Sequence, residues 1–231
     1  MQVVILAGGL GTRLRPITQR VPKPMVEVGG RPFLEYIISH VAGQRFDRML
    51  LLLGYLGEQV RDYFGDGRNF GISIDYAFEP KPLGTAGAVR NAIGQVDKEF
   101  LLLYGDSFLP IDYQAVAGSY RKNPSRGLIV VYDNRHADTG VLNNVALGSD
   151  GVVTRYEKGC VDPGLQYVEA GVLCFQREVF ANLPAIKPVS LEQELYPELI
   201  AQRELRAFVT SQRFFDIGTP ERLEEFSAKH A

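Results

Sequence analysis

The sequence predicts an α/β fold: a three-layer α/β/α, Rossmann-like arrangement around a mostly parallel sheet, with a small antiparallel insertion. Three observations carry it. Short apolar runs alternate with stretches of helical periodicity from the N-terminus to Tyr132. A glycine-rich loop directly follows the first of these runs. Beyond about residue 140 the pattern changes to closely spaced strands joined by a tight turn.

The apolar runs are Val3 to Ala7, Met49 to Leu53, Ile72 to Phe78, Phe100 to Leu103 and Leu128 to Tyr132. Four of the five are apolar throughout, as strands covered on both faces require, and Ile72 to Phe78 is interrupted by Ser73 and Asp75. Between them, Pro32 to Ala42 carries Phe33, Tyr36, Ile37, His40 and Val41 at helical spacing, with Pro32 suited to a first helical position. Gly57 to Phe64, Thr85 to Ile93 and Tyr113 to Arg121 read as helices by the same criterion. The inserted element is Val145 to Leu147 and Val152 to Tyr156, joined through Ser149-Asp150-Gly151. Tyr167 to Phe175 is a further strand. Ser190, with Gln193 three residues on, is a capping-box start for a helix reaching about Gln202. Phe214 to Ile217 ends a strand, and Thr219-Pro220 opens the last helix as N-cap and N1.

A chain of 231 residues without a linker or an internal repeat is expected to form one domain, residues 1–231. Within it, residues 1–110 and 111–231 are expected to form two parts. Apolar content of 45%, charged content of 23% and a net charge of −2 leave no basic excess for nucleic acid, so an anionic ligand needs local cations. No apolar stretch approaches the roughly 20 residues of a membrane span, and the start has no basic n-region, so we expect a cytoplasmic protein. Cys160 and Cys174 lack paired Cys-x-x-Cys spacing, and His40, His136 and His230 are scattered, so zinc is not expected. Self-association is left open.

Leu6-Ala7-Gly8-Gly9-Leu10-Gly11-Thr12-Arg13 places three glycines where backbone N–H groups can approach an anion. A dinucleotide-binding fingerprint would need a small residue where Leu14 stands and an acid about 20 residues on. A P-loop would need Gly-Lys-Ser/Thr. Instead come Arg13, Arg15 and Pro22-Lys23-Pro24, where flanking prolines limit the freedom of a lysine. Phe100 to Leu103 runs into Gly105-Asp106, and Phe214-Phe215 into Asp216. Ligands of open α/β sheets gather beyond such strand ends. Each aspartate alone also reads as a turn or cap residue; together they suit Mg²⁺, which takes one or two carboxylates plus phosphate oxygens and waters.

With those residues in view, Gly8-Gly9-Leu10-Gly11-Thr12-Arg13-Leu14 and Pro22-Lys23-Pro24-Met25 resemble the signature of the sugar-1-phosphate nucleotidyltransferases, the nucleoside-diphosphate-sugar pyrophosphorylases. Later motifs follow in the family's order, so the resemblance spans nearly the whole chain. It implies that a nucleoside triphosphate and a sugar 1-phosphate condense with release of pyrophosphate, assisted by Mg²⁺ on Asp106 and Asp216. It implies catalytic roles for Arg13, Lys23 and Asp106, and nucleotide contacts from Leu6, Ala7, Gly8, Gly9, Gly11, Thr12, Arg13, Glu79, Gly84 and Thr85. Sugar-phosphate contacts would come from Gly140, Glu157, Lys158 and Glu169, so that residues 1–110 would be the nucleotide-binding part and 111–231 the sugar-phosphate-binding part. Glu79 stands where many uridylyl and thymidylyl members have glutamine; a carboxylate can accept from guanine N1–H and its 2-amino group, which favours GTP. General similarity leans toward guanylyltransferases acting on mannose 1-phosphate or manno-heptose 1-phosphate. Two departures bear on the sugar: Gly159 replaces the proline that usually follows Glu-Lys, and Glu169 replaces the asparagine of Asn-Ala-Gly, removing a donor.

Competing readings are another sugar uridylyl-, thymidylyl- or cytidylyltransferase, a glycosyltransferase, and a non-catalytic nucleotide-sugar-binding regulator. A metal-dependent glycosyltransferase would carry Asp-x-Asp, whereas Ser107-Phe108 follows Asp106. A regulator would be expected to lack one of Arg13, Lys23, Asp106 or Asp216, and all four are present.

Overall fold

The computed structural model describes residues 1–136, 139–185 and 187–230. The chain runs through β1 (Gln2–Leu6), a short hairpin of β2 (Glu27–Val28) and β3 (Arg31–Pro32), α1 (Phe33–Ala42), β4 (Arg48–Leu53), α2 (Gly57–Phe64), β5 (Ser73–Phe78) and α3 (Gly84–Asn91). It continues with β6 (Glu99–Tyr104), β7 (Ser107–Phe108), α4 (Tyr113–Lys122), β8 (Gly127–Asp133), β9 (Val145–Leu147), β10 (Val153–Tyr156) and β11 (Tyr167–Gln176). The last elements are α5 (Glu178–Ala181), α6 (Tyr196–Ala201), β12 (Leu205–Thr210), β13 (Phe215–Asp216) and α7 (Pro220–His230).

One sheet is built from both halves of the sequence. Strands β5, β4, β1 and β6 lie side by side and parallel, with Val4 between Leu50 and Leu102. The order then changes hand: β11 pairs antiparallel with both β6 and β8, and β12 runs parallel to β8. The β9–β10 hairpin joins through Tyr167 opposite Val145, and its tight turn closes with Gly151 N–H to Gly148 O at φ +75 for Gly151. Side chains alternate across the sheet into two cores. Val3, Ile5, Leu101 and Leu103 pack with Phe33 and Ile37 of α1, Tyr113 of α4 and Phe226 of α7. Val4, Phe100 and Leu102 pack with Val89 of α3, Phe180 of α5 and Leu199 of α6. Burying both faces is what makes uninterrupted apolar strands stable here.

Several boundaries differ from the sequence reading. Pro32 ends β3 and caps α1 from outside, its extended ψ of 144 being incompatible with helix. Val152 leaves the hairpin and bridges to Arg206, so β10 begins at Val153. Ile93 falls in a separate 3-10 turn, Ile93–Gln95. Ser190 does accept from the N–H groups of Glu192 and Gln193, but the reciprocal bond to its own N–H comes from Glu194, not Gln193. The first turn, Leu191–Leu195, is a π-turn, and its wider spacing brings the fourth side chain rather than the third back to the cap. Thr219 caps α7 as expected, with Leu223 N–H on its carbonyl.

Candidate active site

Because β1, β4, β5 and β6 are parallel, their carboxyl ends open on one edge of the sheet, and the chain leaves them at Ala7, Gly54, Glu79 and Gly105. Ladder bonds extend just past the strands, Ala7 N–H to Leu52 O, Glu79 N–H to Leu53 O and Gly105 N–H to Leu6 O. A cavity of about 360 Å³ opens over this edge; Leu6, Ala7, Gly8, Gly9, Lys23, Glu79, Gly84, Thr85, Asp106 and Lys158 are among its walls, with Tyr104 and Glu192.

The glycines differ in what they do. A Cβ on Gly8 would stand 2.8 Å from Glu79 Oε1 and 3.1 Å from Gly54 N, so the Glu79 carboxyl is seated across the loop. Gly11 has φ +61, and its space is filled by Thr18 and Lys23. Around Gly9 a Cβ would meet nothing within 4 Å, so its bare backbone faces open space that the fold itself does not require. Glu79 Oε2 accepts the Leu83 N–H at 3.0 Å; burial pushes this carboxyl up, against that bond. Gly84, at φ +75, and Thr85 fasten this loop to the segment before α6: a Cβ on Gly84 would lie 2.5 Å from Val189 O, and Thr85 Oγ1 accepts Leu191 N–H at 2.8 Å.

Lys23 occupies a 3-10 turn between Pro22 and Pro24, is 8% exposed, and reaches Asp106 Oδ2 at 2.5 Å. Partial burial would raise the Asp106 carboxyl, but the Lys23 charge and hydrogen bond outweigh it and hold it below the ordinary value. Asp216 is brought alongside: β13 pairs antiparallel with β7, Asp216 opposite Ser107, and Ile217 N–H donates to Asp106 O at 3.0 Å. Its carboxylate accepts from Arg222 Nη1 at 2.9 and 3.1 Å and from Gly218 N–H at 2.7 Å. Arg13 lies outside the cavity wall, in the turn Thr12–Leu14; a Cβ on Gly218 would stand 3.3 Å from its Nη2 and 2.6 Å from Asp216 Oδ1, so Arg13 borders the Asp216 turn. Thr12 is exposed beside it.

The remaining expected residues separate. Lys158 lines the cavity and pairs with Glu192 Oε1 at 2.7 Å; burial would lower its ammonium, but Glu192 outweighs it and holds it raised. Glu157 points elsewhere, to Arg155 at 3.0 Å and the Cys160 thiol, and the Arg155 hydrogen bond chiefly holds its carboxyl low. Gly140 lies off the wall, its carbonyl accepting from Arg222 Nη2 at 3.0 Å. Glu169 is 9% exposed and sits behind the wall rather than in it.

Sequence reasoning missed Glu192, Tyr104 and Arg222. An acid in a first helical turn reads as a dipole complement, an arginine two residues past Pro220 reads as solvent-facing, and neither pattern signals a site. Among the described residues no group of three or more His, Cys, Asp or Glu side chains is arranged for a metal, and no helix is long and apolar enough to cross a membrane.

A family model described as nucleotidyl transferase matches residues 2–231. The chain is 34% identical over 224 residues to the D-glycero-alpha-D-manno-heptose 1-phosphate guanylyltransferase of Campylobacter jejuni, covering 96% of each. It is 31% identical to the mannose-1-phosphate guanylyltransferase of Mycobacterium tuberculosis, spanning 96% of this chain and 62% of that relative's length. The crystal structure of HddC from Yersinia pseudotuberculosis complexed with GMP-PN superposes with a TM-score of 0.82 at 29% identity, covering 100% of this chain and 99% of that one.

Proposed function

Since this chain belongs to the nucleotidyl transferase family, we propose that it condenses GTP with a mannose-type or manno-heptose-type sugar 1-phosphate, giving a nucleoside-diphosphate sugar and pyrophosphate. The observation that carries this is the single cavity over the strand ends that holds the open Gly9 backbone, the Lys23–Asp106 pair and, on its other side, the Lys158–Glu192 pair. Two separated cations suit two phosphorylated substrates. Guanine is favoured by the names of the two relatives and by the carboxyl of Glu79 at the cavity edge.

In the reaction, an oxygen of the sugar phosphate attacks the α-phosphorus of GTP in line; the new O–P bond forms as the bond to the β-phosphate oxygen breaks and pyrophosphate leaves. The nucleophile is already anionic at neutral pH, so no general base is needed and catalysis lies in positioning and charge neutralisation. In this reading the glycine loop presents backbone N–H groups to the triphosphate, Lys23 steadies the α-phosphate, Arg13 the departing pyrophosphate, and Lys158 the sugar phosphate. Residues 1–110 thereby serve the nucleotide and 111–231 chiefly the sugar.

Asp106 and Asp216 fit Mg²⁺ by the chemistry of their donors: hard carboxylate oxygens, one on the turn between β6 and β7 and one on β13, which pairs with β7, with Ser107 Oγ 3.4 Å from Asp106 Oδ1. When bound there, the ion supplies charge neutralisation between two phosphate anions. We assign the activity to the cytoplasm. The test is pyrophosphate release across GTP, UTP, dTTP, CTP and ATP, each with mannose, manno-heptose, glucose and N-acetylated sugar 1-phosphates. GTP with a mannose-type substrate should turn over fastest; no turnover with any pair would overturn the enzymatic reading.

A further inference from the structure

Glu169 is buried on β11, and its position joins the two segments that meet over the cavity. Its Oε2 accepts the Tyr156 hydroxyl at 3.2 Å, and Tyr156 ends β10 immediately before Glu157-Lys158. The Tyr156 ring stands edge-on to Tyr196 with centroids 5.0 Å apart, and Tyr196 directly follows the turn Leu191–Leu195 that carries Glu192. Asn144 Oδ1 fixes the backbone by accepting the Glu169 N–H at 2.9 Å. The other carboxyl oxygen, Oε1, is buried without a hydrogen-bond partner of ordinary geometry, and so are the hydroxyls of Tyr104 and Tyr196 within electrostatic reach of it.

We propose that Glu169 is a positioning residue for the sugar-phosphate side of the site, acting through Tyr156 and Tyr196 on the segments that carry Lys158 and Glu192 and setting how far carboxylates engage Lys158. The proposal rests on the reading of Lys158 as a phosphate-binding cation. The groups that face Glu169 are Tyr104 from β6, Tyr156 from β10, Tyr196 from α6, Glu192 from the turn before it, and Lys158. Burial, and next the Glu192 charge, push Glu169 up to about 7, against the opposing pull of Lys158, the Tyr156 hydroxyl and the Gly171 N–H. Below neutrality the side chain is therefore a neutral acid, and the carboxylates within reach of Lys158 are Glu192, which pairs with it, and Asp106. As pH rises through about 7, a further carboxylate forms within reach of Lys158, competing with an incoming phosphate and repelling it. The asparagine that the family places here cannot titrate, so this dependence comes from the glutamate.

The experiment compares wild type with Glu169→Gln, Glu169→Asp and Tyr156→Phe, each first checked by thermal melting. The ¹⁵Nζ resonance of Lys158, assigned by its loss in Lys158→Met, is followed from pH 5.5 to 8.5. An inflection near neutrality in wild type, absent in Glu169→Gln and kept in Glu169→Asp, supports the proposal. The same profile in wild type and Glu169→Gln overturns it. In parallel, KM for mannose 1-phosphate is measured by pyrophosphate release. The ratio of wild-type to Glu169→Gln KM should rise by about three- to tenfold between pH 6 and 8, with KM for GTP unmoved. Taking the ratio cancels the ionisation of the sugar phosphate itself, and a constant ratio refutes the proposal. Tyr156→Phe should lower the Lys158 inflection without abolishing it; no movement would refute the route through Tyr156. If no sugar phosphate turns over, the enzymatic reading fails, while the Lys158 titration still decides the role of Glu169.

Discussion

Replacing Gly9 with alanine separates the demands of the fold from those of the nucleotide. A Cβ there would meet nothing within 4 Å, and the residue is not among those with positive φ, so Gly9→Ala introduces neither clash nor backbone strain. The unfolded chain loses freedom, and the substitution should stabilise the protein by roughly 0.4–1 kcal/mol. For a chain this long that raises Tm by about 1–4 °C. In the proposed reaction, however, the triphosphate comes close to the bare backbone of this loop. Displacing it from one N–H to phosphate bond removes a charge-assisted hydrogen bond, about 1.5–3 kcal/mol, or about ten- to a hundredfold in affinity for GTP. Gly8→Ala supplies the contrast, because its Cβ would press on the backbone of Gly54 at 3.1 Å as well as on Glu79. That variant should lose roughly 1–3 kcal/mol of stability. Calorimetric titration with GTP and thermal melting of the three proteins are the measurements. Wild-type GTP affinity in Gly9→Ala, or a fall in its Tm matching that of Gly8→Ala, would refute the argument.

Asp106→Asn and Asp216→Asn should each lower pyrophosphate release by about a hundredfold or more while circular dichroism and melting show a folded protein; near-normal turnover in both would remove the two-aspartate site. Ser190→Ala takes away the acceptor for Glu192 and Gln193 N–H and should cost about 1 kcal/mol in urea unfolding. Because that turn carries Glu192, KM for the sugar phosphate should change more than KM for GTP. Glu169 links pH to stability, its folded pKa being raised from 4.5 to about 7. Its neutral form is favoured in the folded state, so its contribution is fully present below about 4.5 and is lost as pH rises through about 7, on the order of 3 kcal/mol. Wild type should therefore lose stability relative to Glu169→Gln across that window, and a flat difference would show that Glu169 does not titrate there.

What was legible in the sequence followed from burial. Val3 to Ala7 and Met49 to Leu53 are uninterrupted apolar runs because both faces of a central parallel strand are covered, and such runs are found without knowing their neighbours. The place of β11 between β6 and β8 was not legible, since pairing across the sheet is decided by contacts far apart in sequence. Its register shifts between Glu169 and Leu173, around Gly171 at φ +75, which lets one strand serve β9 at its start and β6 at its end. The carboxylates Asp106 and Asp216 were legible as strand-end acids. Their adjacency depends on the two-residue pairing of β7 with β13, too short to leave a periodic signal.

Pairing also qualifies the expectation that an anion would be met by free local cations. Lys23 is held by Asp106, Lys158 by Glu192 and Arg222 by Asp216. A phosphate entering the cavity must therefore exchange partners, and each exchange offsets part of the Coulomb gain. A small anion bonding one of these cations would gain little, whereas in the proposed reaction a triphosphate and a sugar phosphate together replace Asp106 and Glu192 as partners and release both carboxylates. Binding of inorganic phosphate alone should accordingly be weak, and Glu192→Gln should strengthen it by freeing Lys158. If calorimetry instead found tight inorganic phosphate binding that Glu192→Gln left unchanged, the exchange of partners would not be what sets selectivity at this site.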